Sequence, residues 1–348
     1  MTKCNHIIPS SATLIDALRL INNIDSEPLV LFVIDSGQHM IGTLTDGDIR
    51  RALIKGVNLD TSVINAANLN FNCLYKGVND NVTNIRHQRE LKMRLVPILD
   101  KDKKITDIIN LEKFKSMLPI DAVLMAGGKG ERLRPLTNNT PKPLIKVGNK
   151  AIIDYNVDNL IAYGLKNISV TVNYLGEQIE KHFSKDRNGV IIKIVREPEY
   201  LGTIGSIKFV ECFYNDTILV MNSDLFTNID YEDFYLHFKQ HNADMSVAAV
   251  PYVVKIPYGV FDLNGREIKG ITEKPTVSYY ANAGIYLIRK ERLELIPANK
   301  FYNATDFMED LISKGYSVIR YPISGYWIDI GQLDELERAR EIAKHIKH

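Results

Sequence analysis

The 348-residue chain has little of what would place it in several common classes. Its three cysteines, Cys4, Cys73 and Cys212, lie far apart and lack metal-ligand spacing. That argues against a disulfide scaffold or a zinc ribbon and for free thiols in a reducing compartment. Neither sign of charge dominates, since 43 basic residues face 42 acidic ones. No global field draws nucleic acid or an anionic membrane, so any phosphate recognition must be local. No apolar run is long enough to span a bilayer, and the first residues lead into no signal-like segment. A cytoplasmic protein is expected. What remains is ordinary globular composition in a chain too long for one small core, which predicts at least two domains.

The first third has a pattern of its own. Residues 11–21 carry apolar positions at helical spacing behind cap-type residues, and residues 29–34 form a short β-branched run. A turn at residues 35–38, a strand over 40–45 and a helix opening at Asp48 follow. The order recurs about 60 residues on. A helix is expected over 81–90, strands over 95–99 and 105–109, and a further helix opening over 111–115.

This duplication resembles a pair of CBS domains. Gly42, Thr45 and Asp48 fit the family's local pattern in the first copy, whereas Asn110 and Lys113 stand at the matching places of the second. The resemblance implies that Thr45 and Asp48 hold the phosphate and ribose of an adenine nucleotide. A dimerising or docking module is the alternative.

Beyond Pro119 the pattern changes. Residues 120–126 read as a buried strand running into Gly127, Gly128 and Gly130. Further strands are expected over 168–172, 190–195, 217–221 and 245–250, with helices over 152–163 and 177–183 between them. Such alternation predicts an α/β domain with a mostly parallel sheet, whose ligands sit at the carboxyl ends of the strands.

A glycine-rich turn after a strand lets backbone N–H groups converge on phosphate. The spacing is neither the Rossmann fingerprint nor a P-loop. The continuation is what makes it specific: Arg132, then Pro135 to Thr137, then Lys142 between Pro141 and Pro143. Arg132 offers a planar cationic fork and Lys142 a point charge. The run from Leu124 to Pro143 resembles the signature of the sugar-1-phosphate nucleotidyltransferases, and four later motifs match in order. These are Glu197 to Ser206, Met221 to Asp224, Glu273 to Pro275 with Asn282 to Tyr286, and Gly325 to Gly331.

The resemblance implies an α/β fold: a Rossmann-like, glycosyltransferase-A-like mixed-sheet nucleotidyltransferase domain over residues 119–348. Two CBS domains precede it, over 1–58 and 59–118. It further implies that Gly127, Gly128, Gly130, Glu197, Gly202 and Thr203 bind the nucleotide. Arg132, Lys142, Asp224 and Lys274 would act in catalysis. Glu273, Lys274, Asn282 and Gly284 would hold the sugar phosphate, and Asp224 and Asp329 would hold Mg²⁺. Trp327 is read as packing.

A carboxylate at 197, where uridylyl and thymidylyl enzymes usually place Gln, only accepts hydrogen bonds. That suits the paired N–H donors of guanine and favours GTP. The CBS pair joined to such a domain resembles the glucosamine-1-phosphate guanylyltransferases of bacterial legionaminic acid biosynthesis. Glucosamine-1-phosphate is therefore the expected acceptor, with mannose-1-phosphate guanylyl transfer or uridylyl transfer as alternatives. A CBS-based nucleotide-sensing regulatory protein and a CTP-dependent cytidylyltransferase are the readings of other kinds. A homo-oligomer is expected, with no nucleic-acid partner and no membrane.

Overall fold

The computed structural model describes residues 3–77 and 81–345. It divides into two compact units, Met1–Met117 and Leu118–His348.

Among the described residues, the N-terminal unit holds two small three-stranded sheets. The first joins strands Ile7–Pro9, Val30–Ile34 and Met40–Thr45, and the second Leu74–Tyr75, Leu95–Leu99 and Ile105–Asn110. In both, the first strand runs parallel to the second and the second antiparallel to the third, with a pairing irregularity near the hairpin end. Phe32 and Met40 of one sheet bury against Leu95 and Leu99 of the other. The repeat is thus one core built from two copies of one unit.

Cap chemistry sets where the helices of this unit start. Leu14–Asn22 opens on a capping box from Thr13 and Asp16, and Asp46–Ile54 on one from Thr45 and Asp48. The helix expected over 111–115 does not form. Asn110 accepts the Glu112 N–H through its side chain, and the chain makes a single turn. The third position after Asn110 is Lys113 rather than an acid, so no box closes. Lys113 instead reaches Glu27 at 2.8 Å.

The second unit is built on seven strands: β1 Asp121–Ala126, β2 Ile168–Val172, β3 Ile192–Arg196, β4 Thr217–Asn222, β5 Met245–Lys255, β6 Thr276–Arg289 and β7 Val318–Pro322. Their order is β3-β2-β1-β4-β6-β5-β7. Neighbours are parallel from β3 through β4, β6 runs antiparallel to both of its neighbours, and β7 is parallel to β5. The sheet is mixed, as the motif resemblance implies. Helices Ile152–Ala162 and Gly176–His182 carry the chain from β1 to β2 and from β2 to β3. Such crossovers keep the carboxyl ends of parallel strands on one edge. On the other side, Val123, Val220 and Ile288 pack with Phe307 and Leu311 in a closed core.

β5 and β6 outrun the sheet. Their far ends pair only with each other, Tyr252 opposite Tyr279 and Lys255 opposite Thr276. Between them lies a separate hairpin, Val260–Asn264 with Glu267–Thr272. Among the described residues, no helix is long and apolar enough to cross a membrane.

Candidate active site

Four strands end in register and build the site. β1 stops at Ala126, β2 at Val172, β3 at Arg196 and β4 at Asn222, with Val172 opposite both Ala126 and Arg196 and Asn222 opposite Met125. The next residue on each strand, Gly127, Asn173, Glu197 and Ser223, faces one cleft of about 650 Å³. Placing ligand groups there follows from the topology, because backbone N–H and C=O groups at a strand end are no longer used by the ladder.

The cleft brings together ten of the residues singled out above: Gly127, Gly128, Gly130, Arg132, Lys142, Glu197, Gly202, Thr203, Asp224 and Asp329. Two glycines have visible reasons. Gly130 sits at φ +61°, and a Cβ there would meet Lys142 and Thr137 at 3.0 Å. At Gly127 a Cβ would lie 1.8 Å from Glu197 Oε1. The turn is therefore shaped around the Glu197 carboxyl as well as opened toward phosphate.

Glu197 is 3% exposed. Its Oε2 accepts the Leu201 N–H at 3.2 Å. Burial pushes its carboxyl up to about 7, with the Leu201 N–H and the Ser206 hydroxyl opposing. A group so placed gains from any ligand that donates N–H bonds to it.

At the other end of the cleft, Lys142 lies between two acids. Its Nζ donates to Asp224 Oδ2 and stands 3.7 Å from Asp329 Oδ1. Asp224 Oδ1 is buried without a hydrogen-bond partner. Burial and the nearby Asp224 carboxylate push Asp329 up, against Lys142 and Arg132. Arg132 passes beside Gly331, where a Cβ would meet its guanidinium at 3.1 Å. Two hard carboxylates, one with a bare buried oxygen and both already facing a cation, fit a magnesium ion that takes its other ligands from phosphate and water. Among the described residues no cluster of three or more metal-ligating side chains exists. The pair suits a shared substrate metal better than a closed structural one.

The expected sugar-phosphate residues lie outside this cleft. Glu273 and Lys274 are exposed at the foot of the hairpin, with Lys274 at φ +45°. Asn282 uses its amide inside β6, donating to the Tyr286 hydroxyl and accepting the Gly284 N–H. Gly284 adjoins the cleft through Asn222, whose Nδ2 would lie 2.6 Å from a Cβ at that position. Thr203 lines the cleft, and its hydroxyl also accepts the Ala304 N–H at the start of helix Ala304–Ser313. Gly202 sits at φ +80°, and a Cβ there would lie 2.6 Å from the Tyr302 carbonyl oxygen. Trp327 donates to the Ala283 carbonyl, a packing role.

Thr171, Asn173, Tyr200, Asn222 and Ser223 also line the cleft; the last three fall inside the motifs named above but carry no assigned role there, and the first two lie outside them. Asn173 was within reach of the strand-end rule, because it directly follows β2. Ser223 closes the loop by donating to the Met125 carbonyl at 2.8 Å, a contact with no sequence signal.

Two family models match the chain. The nucleotidyl transferase family model matches residues 121–345, and the CBS domain model matches residues 1–55. A mannose-1-phosphate guanyltransferase of Yarrowia lipolytica is 32% identical over 219 residues, covering 60% of either chain. The mannose-1-phosphate guanylyltransferase catalytic subunit beta of Xenopus tropicalis is 28% identical over 220 residues, covering 61% of each. The chain thus spans about 60% of the length of the curated relatives it matches. The crystal structure of HddC from Yersinia pseudotuberculosis aligns with a TM-score of 0.51 at 26% identity, over 64% of this chain and 99% of that one. With the model matched over most of its length, the chain belongs to the nucleotidyl transferase family and carries a CBS domain at its N-terminus.

Proposed function

We propose that the chain transfers a nucleoside monophosphate from an NTP, preferably GTP, to a sugar-1-phosphate, releasing pyrophosphate. The observation that carries this reading is the meeting of Arg132, Lys142, Asp224 and Asp329 at one end of a cleft whose other strand ends present Gly127 and Glu197. Cations and carboxylates at one end suit a triphosphate, and at the other a buried carboxyl, which only accepts hydrogen bonds once ionised, suits a base rich in N–H donors.

The guanine N1–H and N2–H₂ donors would both point at the Glu197 carboxylate. Uracil presents a carbonyl beside its N3–H and leaves one oxygen facing another. The glycine turn would supply N–H groups to the phosphates. Arg132 would hold the departing pyrophosphate, and Lys142 would move from Asp224 to the α-phosphate oxygens. The sugar phosphate oxygen then forms a bond to the α-phosphorus in line as the α–β bridging bond breaks. That nucleophile is already anionic, so no strong general base is needed. Asp224 and Asp329 would hold Mg²⁺, which contributes positive charge to the phosphate oxygens when bound. The protein supplies position and charge and forms no covalent intermediate. Glu273, Lys274, Asn282 and Gly284 are assigned to the sugar phosphate, with the Gly284–Asn222 contact as their link to the cleft.

Glucosamine-1-phosphate is the acceptor implied by the CBS-transferase combination. Mannose-1-phosphate is the second reading, favoured by the names of the relatives. An adenine nucleotide at Thr45 and Asp48 would make the N-terminal unit a sensor.

One assay tests all of this: pyrophosphate release with GTP, UTP, CTP, ATP and dTTP against glucosamine-, mannose- and glucose-1-phosphate. Turnover with GTP and one of the first two sugars is expected. Silence with every pair would leave a CBS-based regulatory protein, and preference for UTP would remove the role given to Glu197. AMP added to the productive pair reads out the sensor.

A further inference from the structure

Helix Tyr231–Gln240 ends on the C-cap residue His241, shortly before β5 begins. His237 in its last turn and His241 lie one helical turn apart and therefore on one face. Their rings stand 4.3 Å apart between centroids, tilted by 36°. Neither residue lines the cleft, and the proposed reaction uses neither. Two protonated imidazoles at that distance would repel, so the contact calls for a neutral ring. Burial and the neighbouring His241 hold His237 below the usual histidine range, with Asp233 opposing. The hydrogen bonds then leave lone pairs for a ligand. His241 donates from Nδ1 to the His237 carbonyl at 2.9 Å. That keeps its proton on Nδ1 and frees Nε2, as backbone carbonyls do for imidazoles that bind metals. His237 Nδ1 is buried with no hydrogen-bond partner.

We infer that His237 and His241 together bind a divalent transition-metal ion that prefers imidazole, Zn²⁺ foremost. The spacing fits. Two imidazoles sharing one ion at about 2 Å have centroids roughly 4.5–5 Å apart, close to the separation here. A half-turn about Cβ–Cγ exchanges nitrogen for carbon within the same ring volume, so His237 can present a lone pair toward His241 without repacking. The field fits as well. The carbonyl end of a helix attracts positive charge, and Asp233 stands one turn before His237. Asp233 Oδ2 accepts the Tyr321 hydroxyl at 2.9 Å, and the Tyr321 ring meets His237 edge-on at 5.4 Å. Asp233 therefore adds negative field rather than a ligand. A pair of nitrogens selects against Mg²⁺, which wants oxygen, so this ion differs in kind from the one assigned to Asp224 and Asp329. Among the described residues no third metal-ligating side chain joins the pair. Water would fill the remaining positions, which makes the site open and exchangeable rather than a closed structural one. The ion would hold the last turn of the helix to the residue that leads toward β5.

The test is Zn²⁺ binding to the full chain, by competition with a chromophoric chelator in millimolar Mg²⁺, which occupies carboxylate sites. His237→Ala with His241→Ala should lose one equivalent of bound Zn²⁺. Each single variant should weaken that equivalent by at least about 10-fold. His241→Ala alone should cost nearly as much as the double change, because one imidazole without the other no longer chelates. His241 is exposed, so its variant keeps the test decisive if replacing His237 disturbs the packing against Tyr321. Far-UV circular dichroism confirms that each variant is folded. Imidazole ¹⁵N spectra report the geometry: two rings should shift together as one equivalent of Zn²⁺ is added, and both signals should be missing from the double variant. Lys239→Ala, exposed on the same turn, should leave binding unchanged. Unaltered Zn²⁺ binding in the double variant would overturn the inference. So would single losses that add as two independent sites, or imidazole signals of His237 and His241 that stay still. None of these readings needs turnover, so a failed assignment of the reaction leaves them intact.

Discussion

Thr45–Asp48 and Lys142–Asp224 are both polar pairs beside the end of a strand, and their hydrogen-bonding capacity is used very differently. In the N-terminal unit, Thr45 Oγ1 bonds Asp48 Oδ2 at 2.5 Å, and the Thr45 N–H donates to the same oxygen at 2.9 Å. Thr45 Oγ1 also accepts the Asp48 N–H, while Arg51 takes Asp48 Oδ1. The helix N-terminus consumes the pair. In the transferase unit Asp224 Oδ1 has no partner, and Lys142 reaches two acids. Buried groups left short of partners are retained where a ligand completes them. The lesson is to ask what each polar atom still lacks, because residue type alone does not separate a cap from a site.

The sharpest way to break the comparison is to remove the acid with the bare oxygen. Asp224→Ala should lower kcat for pyrophosphate release by about 1,000-fold, the scale of losing one preorganised electrostatic contact or more. Its thermal midpoint should move little or rise, because the exchange removes an incompletely satisfied buried oxygen. A large loss of stability with modest loss of rate would place Asp224 with the caps instead. Lys142→Met comes next, at about 100-fold in kcat. It should also bind Mn²⁺ more tightly than the wild type in the absence of nucleotide, as read by paramagnetic resonance, since the cation between Asp224 and Asp329 is gone. Weaker Mn²⁺ binding would mean that Lys142 shapes the carboxylates rather than neutralising them.

Glu197 sharpens the contrast through pH. Its carboxyl is raised from 4.5 to about 7 by burial, so the folded protein holds this proton more tightly than the unfolded chain. Stability present below about pH 4.5 is therefore lost as pH rises through 7, by up to about 3 kcal/mol. Glu197→Gln cannot ionise. In denaturant titrations without nucleotide it should exceed the wild type at pH 8 by up to about 3 kcal/mol and match it near pH 4.5. The same variant should lose GTP and gain UTP in kcat/KM, because an amide both donates and accepts. A variant no more stable at pH 8 would show that the carboxyl is already solvated in the free protein.

Much of this was legible in the sequence, for stated reasons. Gly127, Arg132, Lys142, Asp224 and Asp329 occur in a long ordered run of motifs, and the structure gathers them in one cleft. The strands were legible where burial on both faces leaves an unbroken apolar run, as in β1, β2 and β4. What stayed hidden depends on three-dimensional company. The hairpin around Phe261 alternates too weakly, across a pairing irregularity between Asp262 and Leu263, to announce itself. The place of Glu197 under Gly127 is a contact across 70 residues. The helix expected after Asn110 failed because a cap needs its third residue, and Lys113 is engaged elsewhere. Asn282 matched a motif, yet its amide is taken up within its own strand.

The smallest effect tests the cap side of the comparison. Thr45→Ala removes the hydroxyl that accepts the Asp48 N–H and donates to Asp48 Oδ2, and it should lower the stability of the N-terminal unit by about 1 kcal/mol. Asp48→Ala should act alike. The double variant should lose little more than either single one, because the two side chains form one device. Hydrogen exchange at the first turn of Asp46–Ile54 reads this locally, where a global melt would dilute it. Adenine nucleotide then separates capping from binding. If AMP slows exchange in that turn in the wild type but not in Thr45→Ala, the cap also serves as a ligand contact. If exchange is indifferent to AMP, Thr45 and Asp48 are satisfied by the helix alone, and the resemblance to a nucleotide-binding CBS pair stops at the fold.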